Sequence, residues 1–305
     1  MAMPGLRSIH AAAPAKLNLA LSVGPPDADG MHPIATWMVT VDLFDELHLT
    51  RLEPDRPARY AILWHQTAKR RSAIDWPLTR ELSVRAHLAL EKRVGRRLPL
   101  QLALHKRIPV GGGLGGGSSD AAAMLRATNE LFGLGLADSE LHDTATGLGS
   151  DVAFFLVGGS ATVEGLGDRI EPHQAIRELH AVVVFPADAC PTGQVYAAFD
   201  ELDSGPPRPQ AVRALAAGNG PLRPDEPFND LAPAAIRLAP SLQGHLKQIS
   251  ELAQRPAHVA GSGSSLFVLC DDPLHAEAIA AAIEQRLDLP AVAVRSTAAP
   301  PPRRA

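Results

Sequence analysis

The sequence contains few cysteine and aromatic residues and no long apolar run. Its two cysteines, Cys190 and Cys270, lie far apart and have no cysteine or histidine neighbours at the spacing of metal ligands. This scarcity argues against a disulfide framework or a cysteine-based zinc site and is typical of a reducing compartment. Because no stretch of about 18 apolar residues occurs and the chain does not begin with a signal-peptide core, we expect a cytoplasmic protein without a membrane partner.

The sequence also lacks an excess of positive charge, since its formal net charge is −4. Nucleic-acid-binding domains normally carry a basic excess, so no nucleic-acid partner is expected. Hydrophobic residues make up 46% of the chain but aromatic residues only 4%, so the core is expected to consist of Leu, Val, Ile and Ala. A chain of 305 residues is long enough for one large domain or two medium-sized ones.

Strands and helices are predicted in a mixed order. Apolar alternation and short apolar runs predict strands over 15–23, 37–50, 98–104, 160–164, 181–185 and 265–270. Helical periodicity and stop signals predict helices over 78–94, 120–132 and 138–146, the last with Asp138 as its N-cap. This order favours the α+β class over a doubly wound parallel sheet. No element is predicted for residues 53–77, and the tail 298–305 is predicted to be disordered.

A glycine-rich segment is the most informative part of the sequence. Residues 109–120 read PVGGGLGGGSSD, with six glycines in seven positions from Gly111 to Gly117. Without side chains, successive backbone N–H groups can point at one anion, and a positive φ costs little. A predicted helix follows at once, and its N-terminal N–H groups and dipole favour negative charge. We therefore predict a phosphate-binding loop, with Ser118 and Ser119 placed to contact phosphate oxygens or Mg²⁺.

Three other interpretations of the glycine run fit less well. A flexible linker would not be expected between a strand and a helix that starts within three residues. Gly111, Gly113 and Gly116 satisfy the dinucleotide pattern G-x-G-x-x-G, but the acidic residue required about 20 residues later is missing. A Walker A loop needs a lysine where Gly117 stands. A cation that assists phosphoryl transfer must therefore come from elsewhere, and Lys16 is the candidate.

Three segments together resemble the GHMP kinase superfamily, which includes galactokinases, homoserine kinases, mevalonate kinases and phosphomevalonate kinases. They are PAKLNL at 14–19, the loop and helix start at 109–123, and HVAGSGSS at 258–265. Other segments are similar to superfamily members that phosphorylate a cytidine-diphosphate-linked alcohol: ADGMH at 28–32, GGGLGGGSSD at 111–120, LGSDV at 148–152, EGLG at 164–167, PTGQVY at 191–196 and NDL at 229–231. These matches cover residues 14–270, apart from a poorly matched part at 51–77.

The resemblance implies a two-lobed α+β fold with the active site in the cleft between the lobes. An N-terminal ATP-binding lobe is expected at 1–160 and a C-terminal lobe at 161–297, in a monomer or homodimer. The implied reaction transfers the γ-phosphoryl group of ATP, with Mg²⁺, to the 2-hydroxyl of a cytidine-diphosphate-linked methylerythritol in non-mevalonate isoprenoid biosynthesis. The alternatives left open are another superfamily kinase, such as homoserine or mevalonate kinase, a non-catalytic nucleotide-binding protein and, more distantly, a dinucleotide oxidoreductase.

The resemblance also assigns catalytic and ATP-binding residues. Asp151 would take the proton of the acceptor hydroxyl, and Lys16 would orient Asp151 and offset the developing charge. Lys106 would lie near the adenine or ribose. The other expected ATP contacts are Pro109, Val110, Gly111, Gly112, Gly113, Leu114, Gly115, Gly116, Gly117, Ser118 and Ser119. No metal ligand is assigned, and Glu81 stands where superfamily members often have asparagine.

The substrate-binding residues implied by the resemblance lie in four separate segments. They are Asn18, Met31, His32, Thr192 and Tyr196. His32 would hydrogen-bond the cytosine and Tyr196 would lie against the pyrimidine ring, with Asn18 and Thr192 near the substrate. Met31 stands where a tyrosine commonly stacks on the base, and its thioether can also lie against a ring.

Overall fold

The computed structural model describes residues 7–174, 177–203, 205–218, 220–298 and 303–304. Within these residues the strands form two sheets, one of eight strands and one of four. Helices cover both sheets, so the α+β class predicted from the sequence is confirmed.

The first part of the chain builds the large sheet and the helices that cover one face of it. Its strands are β1 (Ser8–Val23), β2 (Ile34–Arg51), β3 (Arg59–Trp64), β4 (Leu100–Lys106), β5 (Ser160–Gly165) and β6 (Arg169–Pro172). Its helices are a 3-10 turn (Leu78–Arg80), α1 (Leu82–Val94), α2 (Gly116–Phe132), α3 (Asp138–Thr146) and α4 (Ser150–Val157).

The central pair of the large sheet is formed by β1 and β2, which run antiparallel with Ser8 opposite Thr50 and Val23 opposite Ile34. The register shifts between Pro14 and Ala15 and again between Asn18 and Ala20. Register shifts of this kind change the direction in which side chains point. Here they lie on either side of the segment that contains Lys16 and Asn18. These two residues are two positions apart, so their side chains share one face of the sheet.

The second part of the chain builds the small sheet and its helices. Its elements are β7 (His180–Val184), α5 (Thr192–Asp200), α6 (Pro209–Ala217), β8 (Phe228–Asn229), α7 (Ala232–Leu238), α8 (Ser241–Ala253), β9 (Ala257–Val259), β10 (Leu266–Cys270), α9 (Pro273–Leu287) and β11 (Ala291–Arg295). The small sheet has the order β11-β7-β10-β9. β8 returns to the large sheet, where it pairs parallel with β1.

Three buried clusters hold these layers together. One packs α1–α4 against the large sheet, and a second packs α5 and α7–α9 against the small sheet. The third joins the two sheets, with Leu17 and Trp37 from one and Phe185 and Phe267 from the other. Because apolar surface is buried between the sheets, a cavity lined by both has walls fixed by packing.

The three predicted helices form, but two starts and one N-cap differ from the prediction. α1 begins at Leu82 rather than at Leu78, where the separate 3-10 turn lies. α2 begins at Gly116 rather than Asp120, so the second half of the glycine run forms the first helical turn. A helix can start there because Gly115 adopts a positive φ of 73° just before it, which costs glycine little. In α3 the N-cap is Ala137 rather than Asp138, and the Glu140 carboxylate accepts the Ala137 N–H at 3.0 Å.

Several elements were not predicted at specific residues from the sequence, among them β3, α4 and a short strand in the tail. β3 lies in the uninterpreted segment 53–77, and α4 directly follows Gly149. This short strand, β12 (Arg303–Arg304), pairs with the edge of β1, although the tail 298–305 was expected to be disordered. Residues 299–302 and 305 of this tail lie outside the described residues. The large sheet continues to Pro172, beyond the predicted lobe boundary at 160, and that boundary stays a prediction.

Candidate active site

A cavity of 570 Å³ lies between the two halves of the chain. One wall comes from β1, the glycine loop and the start of α4, and the other comes from α5 and the segment after β9. The predicted site residues that line it are Lys16, Asn18, Lys106, residues 109–118, Asp151, Thr192 and Tyr196. Met31, His32 and Ser119 are not among its lining residues.

Lys16 and Asp151, predicted from distant parts of the sequence, lie side by side in this cavity. Lys16 Nζ is 3.7 Å from Asp151 Oδ2, and the Lys16 backbone N–H donates to the Leu114 carbonyl at 3.0 Å. Burial lowers the pKa of Lys16, and the neighbouring Asp151 charge opposes that shift. The pair therefore places a buried ammonium next to a carboxylate that is partly open to the cavity.

Asn18 holds the Lys16 ammonium from its other side. Its Oδ1 accepts from Lys16 Nζ at 2.5 Å, while its Nδ2 donates to Thr36 Oγ1 at 2.8 Å. Thr36 in turn donates to the Ala20 carbonyl at 2.7 Å. This chain of bonds fixes the amide with its oxygen toward Lys16. Thr36 was missed by the sequence analysis, because a buried threonine in a strand carries no functional signal.

Asp151 is the second residue of α4, where the helix dipole stabilises an anionic side chain. The EGLG segment explains how this helix start is held. A Cβ atom on Gly167, whose φ is +92°, would lie 2.4 Å from Ser150 Cβ. Only glycine lets the turn after β5 approach the residue next to Asp151 this closely.

The glycine loop packs backbone to backbone against the HVAGSGSS segment. A Cβ atom on Gly113 would lie 2.0 Å from the Ala260 carbonyl oxygen, and one on Gly261 would lie 2.7 Å from the Gly113 carbonyl oxygen. Ser265 donates its backbone N–H to the Gly112 carbonyl at 3.3 Å. Two of the segments that resemble GHMP kinases are thus glycine-rich because their main chains meet.

Lys106 lies at the cavity edge but its ammonium is held by two buried carboxylates. Lys106 Nζ is 2.6 Å from Asp45 Oδ2 and 2.5 Å from Asp120 Oδ2. Burial opposes the charge on Lys106, but the carboxylates outweigh this effect and raise its pKa. Asp45 also accepts the backbone N–H of Ile108 at 2.8 Å and that of Arg107. Lys106 thereby anchors the loop between β4 and α2, and its position near the adenine or ribose stays a prediction.

The far end of the cavity, beyond the loop, is lined by Trp76, Arg80 and Glu81. Trp76 Nε1 donates to Glu81 Oε2 at 3.0 Å, which fixes a buried carboxylate beside an indole ring. Trp76 was missed because it lies in the segment 53–77 that the sequence left uninterpreted. This end offers a flat apolar surface and a hydrogen-bond acceptor, a combination suited to an amino-substituted base.

The predicted substrate residues occupy the opposite end. Thr192 Oγ1 and Ser262 Oγ are 3.1 Å apart across the cavity wall. The Tyr196 ring lies 5.1 Å from the His32 ring between their centroids. Burial and the Asp151 charge raise the pKa of Tyr196 to about 12, so its hydroxyl stays protonated at neutral pH.

His32 lies behind Tyr196 and is held on both sides. Its Nδ1 is 2.9 Å from the Gly24 carbonyl oxygen and its Nε2 is 3.2 Å from Asp200 Oδ1. Asp200, which the sequence analysis missed, is therefore a neighbour of His32, whereas Met31 points outward with 53% of its surface exposed.

Comparisons with known sequences agree with this geometry. The GHMP kinases N terminal domain matches residues 81–159. The 4-diphosphocytidyl-2-C-methyl-D-erythritol kinase of Caulobacter sp. (strain K31) is 38% identical over 288 residues, covering 91% of this chain and 94% of that protein. The protein of the same name from Streptomyces coelicolor is 36% identical over 280 residues, covering 90% and 91%. The resemblance inferred from the motifs is thereby confirmed.

Solved structures show the same fold. A crystal structure of 4-(cytidine 5'-diphospho)-2C-methyl-D-erythritol kinase superimposes with a TM-score of 0.75 and 33% identity, covering 94% of this chain and 99% of that one. Homoserine kinase from Cytophaga hutchinsonii shares the fold at a TM-score of 0.66 with 18% identity, covering 99% of each chain. None of the described helices has the length and apolar character needed to cross a membrane.

Proposed function

Because the chain belongs to the 4-diphosphocytidyl-2-C-methyl-D-erythritol kinases of the GHMP superfamily, we propose that the cavity transfers the γ-phosphoryl group of ATP to the 2-hydroxyl of that cytidyl substrate. One observation carries the assignment of the site. Lys16 Nζ lies 3.7 Å from Asp151 Oδ2 beside a loop in which six of seven residues are glycine, and all of these groups line one cavity.

Asp151 is proposed as the general base. Its carboxylate accepts the hydroxyl proton while the oxygen forms a bond to the γ-phosphorus and the bond to the ADP oxygen breaks. The Lys16 ammonium forms an ion pair with the Asp151 carboxylate and donates a hydrogen bond to the Asn18 amide oxygen. These two contacts keep it next to the reacting groups. A cation held there offsets the charge that accumulates on the transferred group.

The two ends of the glycine loop have different neighbours, and we infer the orientation of ATP from them. A Cβ atom on Gly115 would lie 3.2 Å from Lys16 Cγ, whereas one on Gly117 would lie 3.5 Å from Leu82 at the far end. The γ-phosphate therefore belongs at the Gly115 flank and the nucleoside toward Trp76 and Glu81. The N–H groups that open α2 then face the phosphates between these ends.

Mg²⁺ fits the oxygen atoms at the start of α2. Ser119 Oγ and Asp120 Oδ1 are buried and have no hydrogen-bond partner among the described residues, and the Glu81 carboxylate lies nearby. Among those residues, His, Cys, Asp and Glu side chains form no ready-made cluster of three for a metal ion. Mg²⁺ commonly binds through one or two protein oxygens plus nucleotide phosphates, whose charge it neutralises. We propose that Ser119 and Asp120 supply these protein oxygens, whereas Glu81 stays with Trp76 at the nucleoside end.

The substrate is proposed to bind at the Tyr196 end. The Tyr196 ring offers a face for the cytosine, and His32 supports that ring from behind. Because His32 is already held by Gly24 and Asp200, it would have to exchange the Asp200 contact to hydrogen-bond the base. Thr192 and Ser262 place hydroxyls between this end and Asp151, where the diphosphate of the substrate has to pass. Met31 is exposed beside this end and is available to contact the base from outside.

Phosphorus NMR of the purified protein with ATP, Mg²⁺ and the cytidyl substrate tests the proposed reaction. We expect the γ-phosphate signal of ATP to decline as ADP and one new phosphomonoester signal appear in equal amounts. Parallel samples with homoserine and with mevalonate test the other superfamily activities. Turnover of either alcohol in preference to the cytidyl substrate would overturn the assignment, and ATP binding without any turnover would favour a non-catalytic nucleotide-binding protein.

The setting of the reaction is proposed to be the cytoplasm, with the protein acting as a monomer or a homodimer. Cys190 and Cys270 are both free thiols, as in proteins of a reducing compartment. Sedimentation of the purified chain measures its assembly state.

A further inference from the structure

A row of histidines crosses the outer face of the large sheet, away from the active site. His10 lies on β1, His48 on β2, His105 on β4 and His65 just after β3. Neighbouring ring centroids are 4.0 Å apart for His10 and His48, 5.4 Å for His48 and His105, and 6.4 Å for His65 and His105. His10 lies six residues from the catalytic Lys16 along β1, which corresponds to about 20 Å at 3.3 Å per residue.

Two of these histidines have the spacing of metal ligands. His10 and His48 are directly opposite each other in the β1–β2 pair, and His48 Nδ1 lies 3.2 Å from His10 Nε2. Two imidazole nitrogens bound to one tetrahedral ion at about 2.0–2.1 Å are separated by roughly 3.3 Å. The backbone pairing therefore already holds both nitrogens at the separation that such an ion requires.

A carboxylate lies behind His48, as in many metal sites. Glu46 Oε2 is 3.8 Å from His48 Nε2, and Glu46 is itself held by Arg107 Nη2 at 2.9 Å. A ligating histidine commonly directs its second ring N–H to such a carboxylate, which fixes the tautomer. Glu46 is here beyond hydrogen-bond distance of His48, and the Nδ1 lone pair of His48 faces His10 when the His48 proton is on Nε2.

The strand beneath the two rings is fixed by packing. The interior-facing residues on either side of His48, Leu47 and Leu49, are fully buried. The pair is thus held by two paired strands on a partly exposed surface.

We propose that His10 Nε2 and His48 Nδ1 chelate a late first-row divalent cation, with Cu²⁺ bound more tightly than Ni²⁺ or Zn²⁺. In the described part of the chain, His, Cys, Asp and Glu side chains form no three-membered group arranged around an ion. Water therefore completes the coordination of this two-histidine site. The order of affinity follows the general preference of nitrogen ligands for these ions.

Calorimetric titration of the untagged full chain with CuCl₂, NiCl₂ and ZnCl₂ tests this site. One equivalent of metal ion is expected to bind, and proton competition should weaken the binding as the pH falls. His10→Ala and His48→Ala should each weaken the binding at least 10-fold. His142→Ala, which removes a histidine of α3 outside the row, serves as the matched control and should bind as the unchanged protein does.

Imidazole NMR signals provide a second measurement that does not depend on the variants. Substoichiometric Zn²⁺ should shift or broaden the ring signals of His10 and His48 before those of His142. Unchanged signals for the pair, or equal metal affinity in the wild type and both variants, would overturn the proposal.

Discussion

The reactive residues Lys16 and Asp151 differ in how they are surrounded. Lys16 is almost fully buried and held by Asn18, whereas Asp151 retains 27% side-chain exposure toward the cavity. A base has to reach the substrate, while a cation that offsets charge acts more strongly when it is shielded from water. The two side chains are therefore placed for different tasks, and two predictions separate them.

Replacement of Asp151 by asparagine is expected to lower kcat by about 10²-fold or more while ATP binding is retained. Asparagine keeps the size of the side chain but cannot take up the hydroxyl proton, and a positioned base typically contributes 10²–10⁴-fold. Steady-state kinetics and ATP titration measure the two effects. Asp143→Asn, on the exposed surface of α3, is the control and should leave kcat unchanged. Near-normal turnover in Asp151→Asn would remove this residue from the mechanism.

We expect kcat to fall at alkaline pH because the Lys16 ammonium loses its proton. Because burial lowers its pKa, the ammonium loses its proton at a pH below the usual value of 10.5, and the rate falls as the pH rises through that lowered pKa. In Lys16→Arg the guanidinium stays protonated, so the loss should disappear even if kcat is reduced. The same alkaline loss in the arginine variant would assign it to another group.

Among the elements, the glycine loop depends on close approach as well as on backbone freedom. Gly111 and Gly113 both adopt positive φ, 71° and 74°, but a Cβ atom meets nothing within 4 Å at Gly111 and would overlap the Ala260 carbonyl at Gly113. Gly111→Ala is expected to cost about 1–2 kcal/mol from the left-handed conformation alone. Gly113→Ala should cost about 1–3 kcal/mol more. Urea unfolding measures both values, and equal losses would mean that the contact with Ala260 is unimportant.

The buried ion cluster that joins β2, β4 and α2 is expected to contribute strongly to stability. Lys106→Met leaves Asp45 and Asp120 buried without their shared cation, since all three side chains are at most 3% exposed. Removing one partner of such a cluster costs about 3–5 kcal/mol. The comparison is Lys247→Met, which removes a surface ion pair with Glu251 and should change the unfolding free energy by less than about 1 kcal/mol.

At the scale of the whole molecule, Asn229 ties the small sheet to the large one beside the cavity. On β8 it pairs with β1, and its Nδ2 donates to the Val259 and Gly261 carbonyls at 2.9 and 2.7 Å. Asn229→Ala leaves both acceptors without this donor. We expect a loss of about 1–3 kcal/mol in unfolding free energy together with a raised KM for both substrates, because the two walls of the cavity are less well aligned.

Asn129 provides the matched control for this prediction. It makes two side-chain bonds, both to the Leu136 backbone at 3.0 and 3.1 Å, against three for Asn229, whose Oδ1 also accepts the Leu231 N–H at 2.9 Å. Asn129 lies on α2 outside the cavity lining. Asn129→Ala should lower stability by a similar amount and leave KM unchanged. Equal KM values in the two variants would show that Asn229 contributes to folding alone.

The sequence by itself determined the features that depend on local chemistry and on ordered motifs. A glycine run before a helix predicts a phosphate site because bare N–H groups bind anions wherever they occur. The order of the PAKLNL, glycine-rich and HVAGSGSS segments identifies the superfamily, and the resemblance assigns Lys16 and Asp151. The predicted strands correspond to β1, β2, β4, β5, β7 and β10 and the predicted helices to α1–α3, since apolar periodicity is a local property.

Only the tertiary structure decided which groups meet and which charges are left free. The resemblance implies that Lys106 lies near the nucleotide, but only the structure shows that its ammonium is paired with Asp45 and Asp120 from other segments. Thr36, Trp76 and Asp200 carry no motif and gain their roles through pairing across strands or packing between lobes. The physical reason is that burial and ion pairing depend on contacts distant in sequence, which local residue patterns do not specify.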